Sequence, residues 1–329
     1  MQETFLDYHD QIKLGTYDED ESLRDKRNLL TDTLTELLKD EKVPDSDKKL
    51  TFKTLDQGSY AMRTGVKPLN GDYDIDVGIV FDITIDEYDS KKLKNLVYDK
   101  LNKQHNRTVD YNRPCITVPY ATGYHVDFPI YAKKGDDLYI AWGKKNSEEH
   151  EWYESDPEGL KTWVKSVSED AEERRQFRRC VKYLKRWKNK NFCSSGNAAP
   201  PSIGLTIQAR RSFNFKKDSD LSCLIGITKS IRNKFIKSYC SDDKKDYYTV
   251  KITLPVKPKK NIYYKMTKKQ LDNFYHKVDE LVEALEAAKA EESLSESSKI
   301  LKKVFGDFPL LNDAVKSEKK PYVPTGMSA

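Results

Sequence analysis

Asp72-Tyr73-Asp74-Ile75-Asp76-Val77-Gly78-Ile79-Val80-Phe81 sets two carboxylates one residue apart at the head of an apolar run. Alternate residues of a strand point to one face, so Asp74 and Asp76 project together while Ile75 and Val77 face the other way. Two acids held side by side repel. A sheet with one buried face tolerates such a pair when a cation neutralises it, and carboxylate and phosphate oxygens are the ligands Mg²⁺ prefers. Standing alone, a D-x-D pair describes a solvated edge strand more often than a metal site. Its surroundings reverse that reading. Val77 to Phe81 is apolar enough for a buried strand, and a Gln57-Gly58-Ser59 turn lies upstream at a distance that suits a short helix. A third acid, Asp127, sits in the strand-like His125-Val126-Asp127-Phe128-Pro129. The constellation predicts a two-metal nucleotidyl-transfer site. Asp72 and Asp82 share the parity of the pair; Asp72 reads either as an outer supporting acid or, after Asn70-Gly71, as a turn residue.

With 329 residues, 37% hydrophobic and 34% charged, the chain is long enough for two lobes rather than one core. No stretch approaches the roughly 18 consecutive apolar residues of a membrane span. Met1-Gln2-Glu3-Thr4 lacks the basic-then-apolar pattern of a signal peptide, so a cytoplasmic protein with no membrane partner is expected. The five cysteines, Cys115, Cys180, Cys193, Cys223 and Cys240, have neither C-x-x-C spacing nor a companion histidine pair. Neither a disulfide framework nor a zinc module is suggested, and Cys193 reads as a loop residue with the rest in the core.

The net charge of +5 is mild, but its distribution is uneven. Residues 171–190 carry nine Arg or Lys against two Glu, and residues 244–269 carry nine Lys against one Asp. In the first run Phe177, Cys180, Val181, Leu184 and Trp187 recur at helical spacing. The basic residues Arg178, Arg179, Lys182, Lys185 and Arg186 then flank a fixed apolar face, either solvated or turned toward a triphosphate.

Leu23, Leu29, Leu30, Leu34, Leu37 and Leu38 predict a long amphipathic spine helix. Strands are expected at 50–55, 73–83, 115–120 and 124–131, with a helix near 90–104 capped at Asp89 and a further strand from Asp137 to Trp142. This makes an α/β lobe that carries all three acids. From Ser155-Asp156-Pro157 the pattern turns helical, with helices expected at about 202–214, 220–238, 268–290 and 294–305 and loops at 191–201 and 241–260. The tail from Ser317 reads as mobile.

Gln57-Gly58-Ser59-Tyr60, Asp74-Ile75-Asp76-Val77-Gly78, His125-Val126-Asp127-Phe128-Pro129-Ile130-Tyr131-Ala132, Glu154-Ser155-Asp156-Pro157, Tyr183-Leu184-Lys185-Arg186-Trp187 and Pro201-Ser202-Ile203-Gly204-Leu205 occur in that order. Together they resemble the bacterial cGAS/DncV-like nucleotidyltransferases of the DncV type, over roughly residues 1–310. The resemblance implies an α+β fold. A Pol-β-like core with a mixed sheet and the spine helix would occupy 1–150, an α-helical lobe 151–310 and a flexible tail 311–329, with nucleotides bound between the lobes.

It also implies roles. Asp74 and Asp76 match the pair that binds two Mg²⁺ ions, for which Mn²⁺ can substitute, and Asp127 matches the acid that completes the metal site. Two such cations would activate the attacking ribose hydroxyl and neutralise the leaving pyrophosphate. Ser59 and the amides around Gly58 match a triphosphate-binding turn, although Ser59 also reads as a helix N-cap with no ligand. Lys185 and Ser202 match the residues that hold the triphosphate from the second lobe. Gln57 would contact nucleotide or brace the turn, and Tyr60 would stack on a base or pack at the lobe junction.

The implied activity joins NTPs such as ATP and GTP into a cyclic di- or trinucleotide messenger, sensed by a separate effector in bacterial anti-phage defence. Residues 214–265 diverge from the dinucleotide cyclase and leave base choice open, with a cyclic GMP-AMP-like product the leading expectation. A linear oligonucleotide synthase, a nucleotidylating toxin and a catalytically silent nucleotide-binding partner are the alternatives. In some relatives the C-terminus is conjugated to targets by ubiquitin-transfer-like enzymes. The lysine run at 244–269, with Tyr247, Tyr248, Tyr263 and Tyr264, reads as a solvated face or as a nucleic-acid contact.

Overall fold

The computed structural model describes residues 1–14, 21–69, 73–104, 108–120, 123–193 and 195–312. Asp72 and the tail from residue 313 lie outside them. The first elements are α1 (Gln2–Ile12), α2 (Glu21–Leu38), β1 (Phe52–Asp56), α3 (Gly58–Ala61), β2 (Tyr73–Thr84) and α4 (Ser90–Asn102). Strands β3 (Asp110–Tyr111), β4 (Ile116–Tyr120), β5 (Tyr124–Phe128), β6 (Ile130–Lys134), β7 (Asp137–Trp142) and β8 (Glu151–Ser155) complete a mixed sheet of eight strands. Strand β2 is its axis. It pairs antiparallel with β1 and parallel with β5 and then β6. From Tyr73 to Val80 the two parallel stretches keep one offset, and the register shifts between Val80 and Thr84. They are a single track interrupted at Pro129, which has no N–H to give but whose carbonyl accepts from the Ile79 amide at 2.8 Å.

Alternation decides what each face does. Ile75, Val77, Val126 and Phe128 are fully buried and pack with Leu30, Leu34 and Leu38 of α2 and Leu93 and Val97 of α4. The expected leucine stripe is narrower than predicted, because Leu29 is 54% exposed. Helix α4 starts as expected, with the Asp89 side chain accepting from the Lys92 amide.

The second lobe contains α5 (Pro157–Lys165), α6 (Ala171–Asn191), α7 (Ser202–Ser212), α8 (Asp220–Arg232), β9 (Ile236–Cys240), β10 (Lys245–Thr249), α9 (Lys268–Ala290) and α10 (Leu294–Phe305). Helix α6 runs through its core with Phe177, Cys180, Val181, Leu184 and Trp187 all buried. Two boundaries differ from expectation. Phe5, Tyr8 and Ile12 of α1 belong to this second core although they start the chain, and β8 extends the first lobe's sheet past residue 150. Helix α8 also stops at Arg232, and β9 and β10 form an antiparallel hairpin where a helix and a loop were expected. Ile236-Lys237-Ser238-Tyr239-Cys240 and Lys245-Asp246-Tyr247-Tyr248-Thr249 carry the β-branched and aromatic residues that favour strands.

Candidate active site

Parallel pairing of β2 with β5 sets Asp74 beside His125 and Asp76 beside Asp127. Since the residues between them are buried in the sheet's core, these four polar side chains share the opposite face. The three predicted acids are therefore brought together. His125 Nε2 lies 2.7 Å from Asp74 Oδ1, and Thr117 Oγ1 on β4 donates to Asp127 Oδ1 at 2.5 Å. Asp82, by contrast, is exposed and lies 3.6 Å from Lys48 Nζ, so it is a surface acid.

Crowding has an electrostatic cost. The Asp76 carboxyl is pushed up to about 7, by burial first and then by Asp127 and Asp74, against the pull of Lys185 and His125. Asp127 is also raised, by burial, although the Thr117 hydrogen bond opposes the shift. Three carboxylates on neighbouring same-face positions form a hard oxygen donor set whose mutual repulsion a divalent cation relieves, so the set fits Mg²⁺ or Mn²⁺. Among the described residues they are not drawn into a ready-made metal cage. One oxygen of Asp74 faces His125 and one of Asp127 faces Thr117.

The Gln57-Gly58-Ser59 turn lies directly over this pair. Gly58 opens α3 at φ +68°, and a Cβ there would fall 1.8 Å from Asp76 Oδ2. Glycine is required both for the backbone conformation and for the close approach. Ser59 lines the cleft, and the N-cap of α3 is Gln57, so the reading of Ser59 as the cap is corrected. Gln57 Oε1 accepts from the Tyr131 hydroxyl at 2.9 Å, a bracing contact, while the residue also lines the cleft. Tyr60 is 5% exposed, packs in the first lobe's core and does not line the cleft, which corrects the expectation of a nucleotide contact.

From the second lobe, Lys185 and Ser202 reach the same cleft of about 780 Å³, within the usual size range for small-molecule sites. Lys185 Nζ donates to Thr64 O at 2.9 Å and to Thr64 Oγ1 at 3.0 Å. Burial, followed by Lys188 and Lys182, lowers its amine to about 7, although Asp76 and Asp74 pull the other way. Ser202 Oγ accepts from Lys188 Nζ at 2.8 Å. Lys188 was not singled out by the sequence reading, yet it stands one turn from Lys185 on the same face of α6, a spacing that marks it. Lys161 of α5 also lines the cleft.

Three other cations of α6 are committed to structure. Arg179 pairs with buried Asp220 at 2.7 Å, Lys182 contacts His9 Nε2 at 3.1 Å, and Arg186 binds Asp307 and donates to Lys67 O at 2.8 Å. In the second basic run, Lys257 pairs with Asp137 at 2.6 Å and Lys269 with Asp243 at 3.6 Å. Cys193 is exposed and the other four cysteines are buried, as expected. Among the described residues no helix is long and apolar enough to cross a membrane.

A mixed sheet with two acids on its axial strand, a Gly-Ser turn above them and a helical lobe opposite defines a nucleotidyltransferase-type fold. Residues 52–131 match the family described as "Cyclic GMP-AMP synthase DncV-like, nucleotidyltransferase domain". A cyclic GMP-AMP synthase of Escherichia albertii is 29% identical over 161 residues, covering 46% of this chain and 35% of that protein. The match thus spans about a third of that relative's length. The GTP-bound form of Vibrio cholerae DncV superposes with a TM-score of 0.64 at 22% identity, covering 85% of this chain and 75% of that one. Another structure of Vibrio cholerae DncV, a cyclic AMP-GMP synthase, gives 0.60 at 22% identity, with 80% and 71% covered. The sequence likeness to the DncV-like nucleotidyltransferase domain thus rests on residues 52–131, and the likeness of fold extends over most of the chain.

Proposed function

We propose that this protein is a divalent-metal-dependent nucleotidyltransferase that joins NTPs into a cyclic oligonucleotide, with a cyclic dinucleotide such as cyclic GMP-AMP the leading product. The observation that carries the proposal is the register placing Asp76 beside Asp127 and Asp74 one step away on the cleft face. Asp74, Asp76 and Asp127 would hold Mg²⁺, and Mn²⁺ in its place. A bound cation pair supplies nucleophile activation and charge neutralisation at the leaving pyrophosphate. Ser59 and the amide end of α3 meet the triphosphate from one wall, and Lys185, Lys188 and Ser202 meet it from the other. The ring of the product follows from two transfers in one cleft, each releasing pyrophosphate.

Relatives named as cyclic GMP-AMP and cyclic AMP-GMP synthases, one of them determined with GTP bound, support NTP substrates. A cytoplasmic place in anti-phage signalling, with an effector that senses the product, belongs to the same proposal. So does conjugation of the C-terminus, whose residues lie outside those described. Purified protein incubated with Mg²⁺ and pairwise radiolabelled NTPs, then treated with phosphatase and chromatographed, tests the reading. A phosphatase-resistant product that is absent from an Asp74→Asn/Asp76→Asn variant is expected. Label that stays phosphatase-sensitive would favour a linear product, and equal pyrophosphate release by both proteins would overturn the enzymatic reading.

A further inference from the structure

Asp127 is held by a chain of part-buried contacts that the proposed reaction does not itself require. Asp127 and Thr117 stand directly opposite each other on antiparallel β5 and β4, and Thr117 is 6% exposed. A hydroxyl has one proton. Asn112 Nδ2 donates to Thr117 Oγ1 at 2.9 Å, so the Thr117 proton is directed at Asp127 Oδ1, 2.5 Å away. The Asn112 backbone is fixed in turn: its N–H donates to Cys115 O at 3.0 Å and its main-chain carbonyl accepts from Lys94 Nζ at 2.7 Å. Lys94 is fully buried on α4. Its ammonium also donates to Arg113 O at 2.8 Å and Gly143 O at 3.0 Å, so it gathers three carbonyls as a small cation would.

Resting on the nucleotidyltransferase reading, we propose that Thr117 is the positioning residue for Asp127. Lys94 and Asn112 lock its hydroxyl so that Oδ1 is occupied and Oδ2 is the oxygen presented to the divalent cation. The relay fixes a single carboxylate orientation before metal arrives. An acid otherwise free to turn away from its like-charged neighbours is thereby kept in place. Asn112 and Thr117 act through Asp127 and touch neither substrate nor cation.

The test is direct Mn²⁺ binding to the full chain, by calorimetry or electron paramagnetic resonance, in the presence of a non-hydrolysable NTP analogue. Thr117→Val should weaken Mn²⁺ binding about tenfold, in line with lost outer hydrogen bonds to metal ligands, while Thr117→Ser stays within about twofold of the wild type. Melting temperatures in metal-free buffer are recorded in parallel, since a merely structural threonine would change those and leave Mn²⁺ affinity alone. Wild-type affinity in a folded Thr117→Val protein overturns the relay while leaving the nucleotidyltransferase reading intact. Absence of Mn²⁺ binding by the wild type overturns that reading and the relay with it. Should the valine variant fail to fold, Asn112→Ala frees the Thr117 hydroxyl to rotate; about threefold weaker binding supports the relay and unchanged binding overturns it.

Discussion

Asp76→Asn should make the metal-free protein more stable while abolishing its activity. Burial and two neighbouring carboxylates push the Asp76 carboxyl from 3.8 to about 7. Its folded value lies above its unfolded one, so the folded chain binds more protons between about pH 4 and pH 7. Stability therefore falls as pH rises through that window, and the full penalty applies above it. A shift of about three units at 1.36 kcal/mol each sets a ceiling of about 4 kcal/mol. The side chain lines the cleft and is partly reached by water, which leaves about 2 kcal/mol as the expected gain.

Asparagine keeps the shape and removes the charge. Chemical denaturation with chelator present should show the variant about 2 kcal/mol more stable at about pH 8, with the gain shrinking toward zero near pH 4. Mg²⁺ should then stabilise the wild type and not the variant, because a ligand that binds only the folded state adds to its stability. NTP turnover should be lost. A variant less stable than wild type at pH 8, or one whose gain is the same at both pH values, would refute the argument that Asp76 is crowded by charge.

Three further outcomes follow from the same geometry. Gly58→Ala should cost about 1–2 kcal/mol for the left-handed backbone alone, and should displace Asp76 as well, so both melting temperature and Mn²⁺ affinity should fall. Lys185→Met removes an amine whose folded value, about 7, lies below 10.5. The unfolded chain therefore binds more protons in that interval, wild-type stability rises with pH across it, and the variant should lose that slope while binding NTP about tenfold more weakly in equilibrium dialysis. Asp220→Ala leaves Arg179 and the Tyr183 hydroxyl without their shared buried partner and should cost about 3–5 kcal/mol in urea titration; a loss under about 1 kcal/mol would contradict the pairing.

The acid pair was legible because strand parity is local: residues 74 and 76 share a face whatever the sheet does. Asp127 was legible as an acid in a strand-like segment and by family resemblance. Its neighbour Thr117 was not, since Thr117 reaches it only through the β4–β5 register. The basic stretch of α6 misled for a related reason. Nine cations in sequence suggest a charged face, but Arg179, Lys182 and Arg186 find their partners at Asp220, His9 and Asp307, far away in sequence. Only packing separates the cations used to build the lobe from those left to the cleft. Helix α1 escaped notice on the same ground, as its apolar face is completed by α6 and Phe308 rather than by anything nearby in the chain.

Residues 64–67, on the way from the Gly58 turn to β2, are fastened to the helical lobe, and this limits what Lys185 can contribute to binding. Ile12 O accepts from the Lys67 amide at 2.8 Å, Gly65 O accepts from the Leu14 amide at 3.2 Å, and Arg186 donates to Lys67 O. Thr64, in the middle of this stretch, is fully buried, and Lys185 donates to both its carbonyl and its hydroxyl. On the nucleotidyltransferase reading, turning Lys185 toward a triphosphate exchanges these acceptors for phosphate oxygens instead of adding contacts. A buried acceptor left without its donor costs about 1–3 kcal/mol, comparable to the 1.5–3 kcal/mol of a charge-assisted hydrogen bond. Where the phosphate contact exceeds that cost by about 1.4 kcal/mol, removing the amine weakens NTP binding by about tenfold and not by a hundredfold. A loss of a hundredfold or more would mean that the Lys185–Thr64 contacts persist when nucleotide binds.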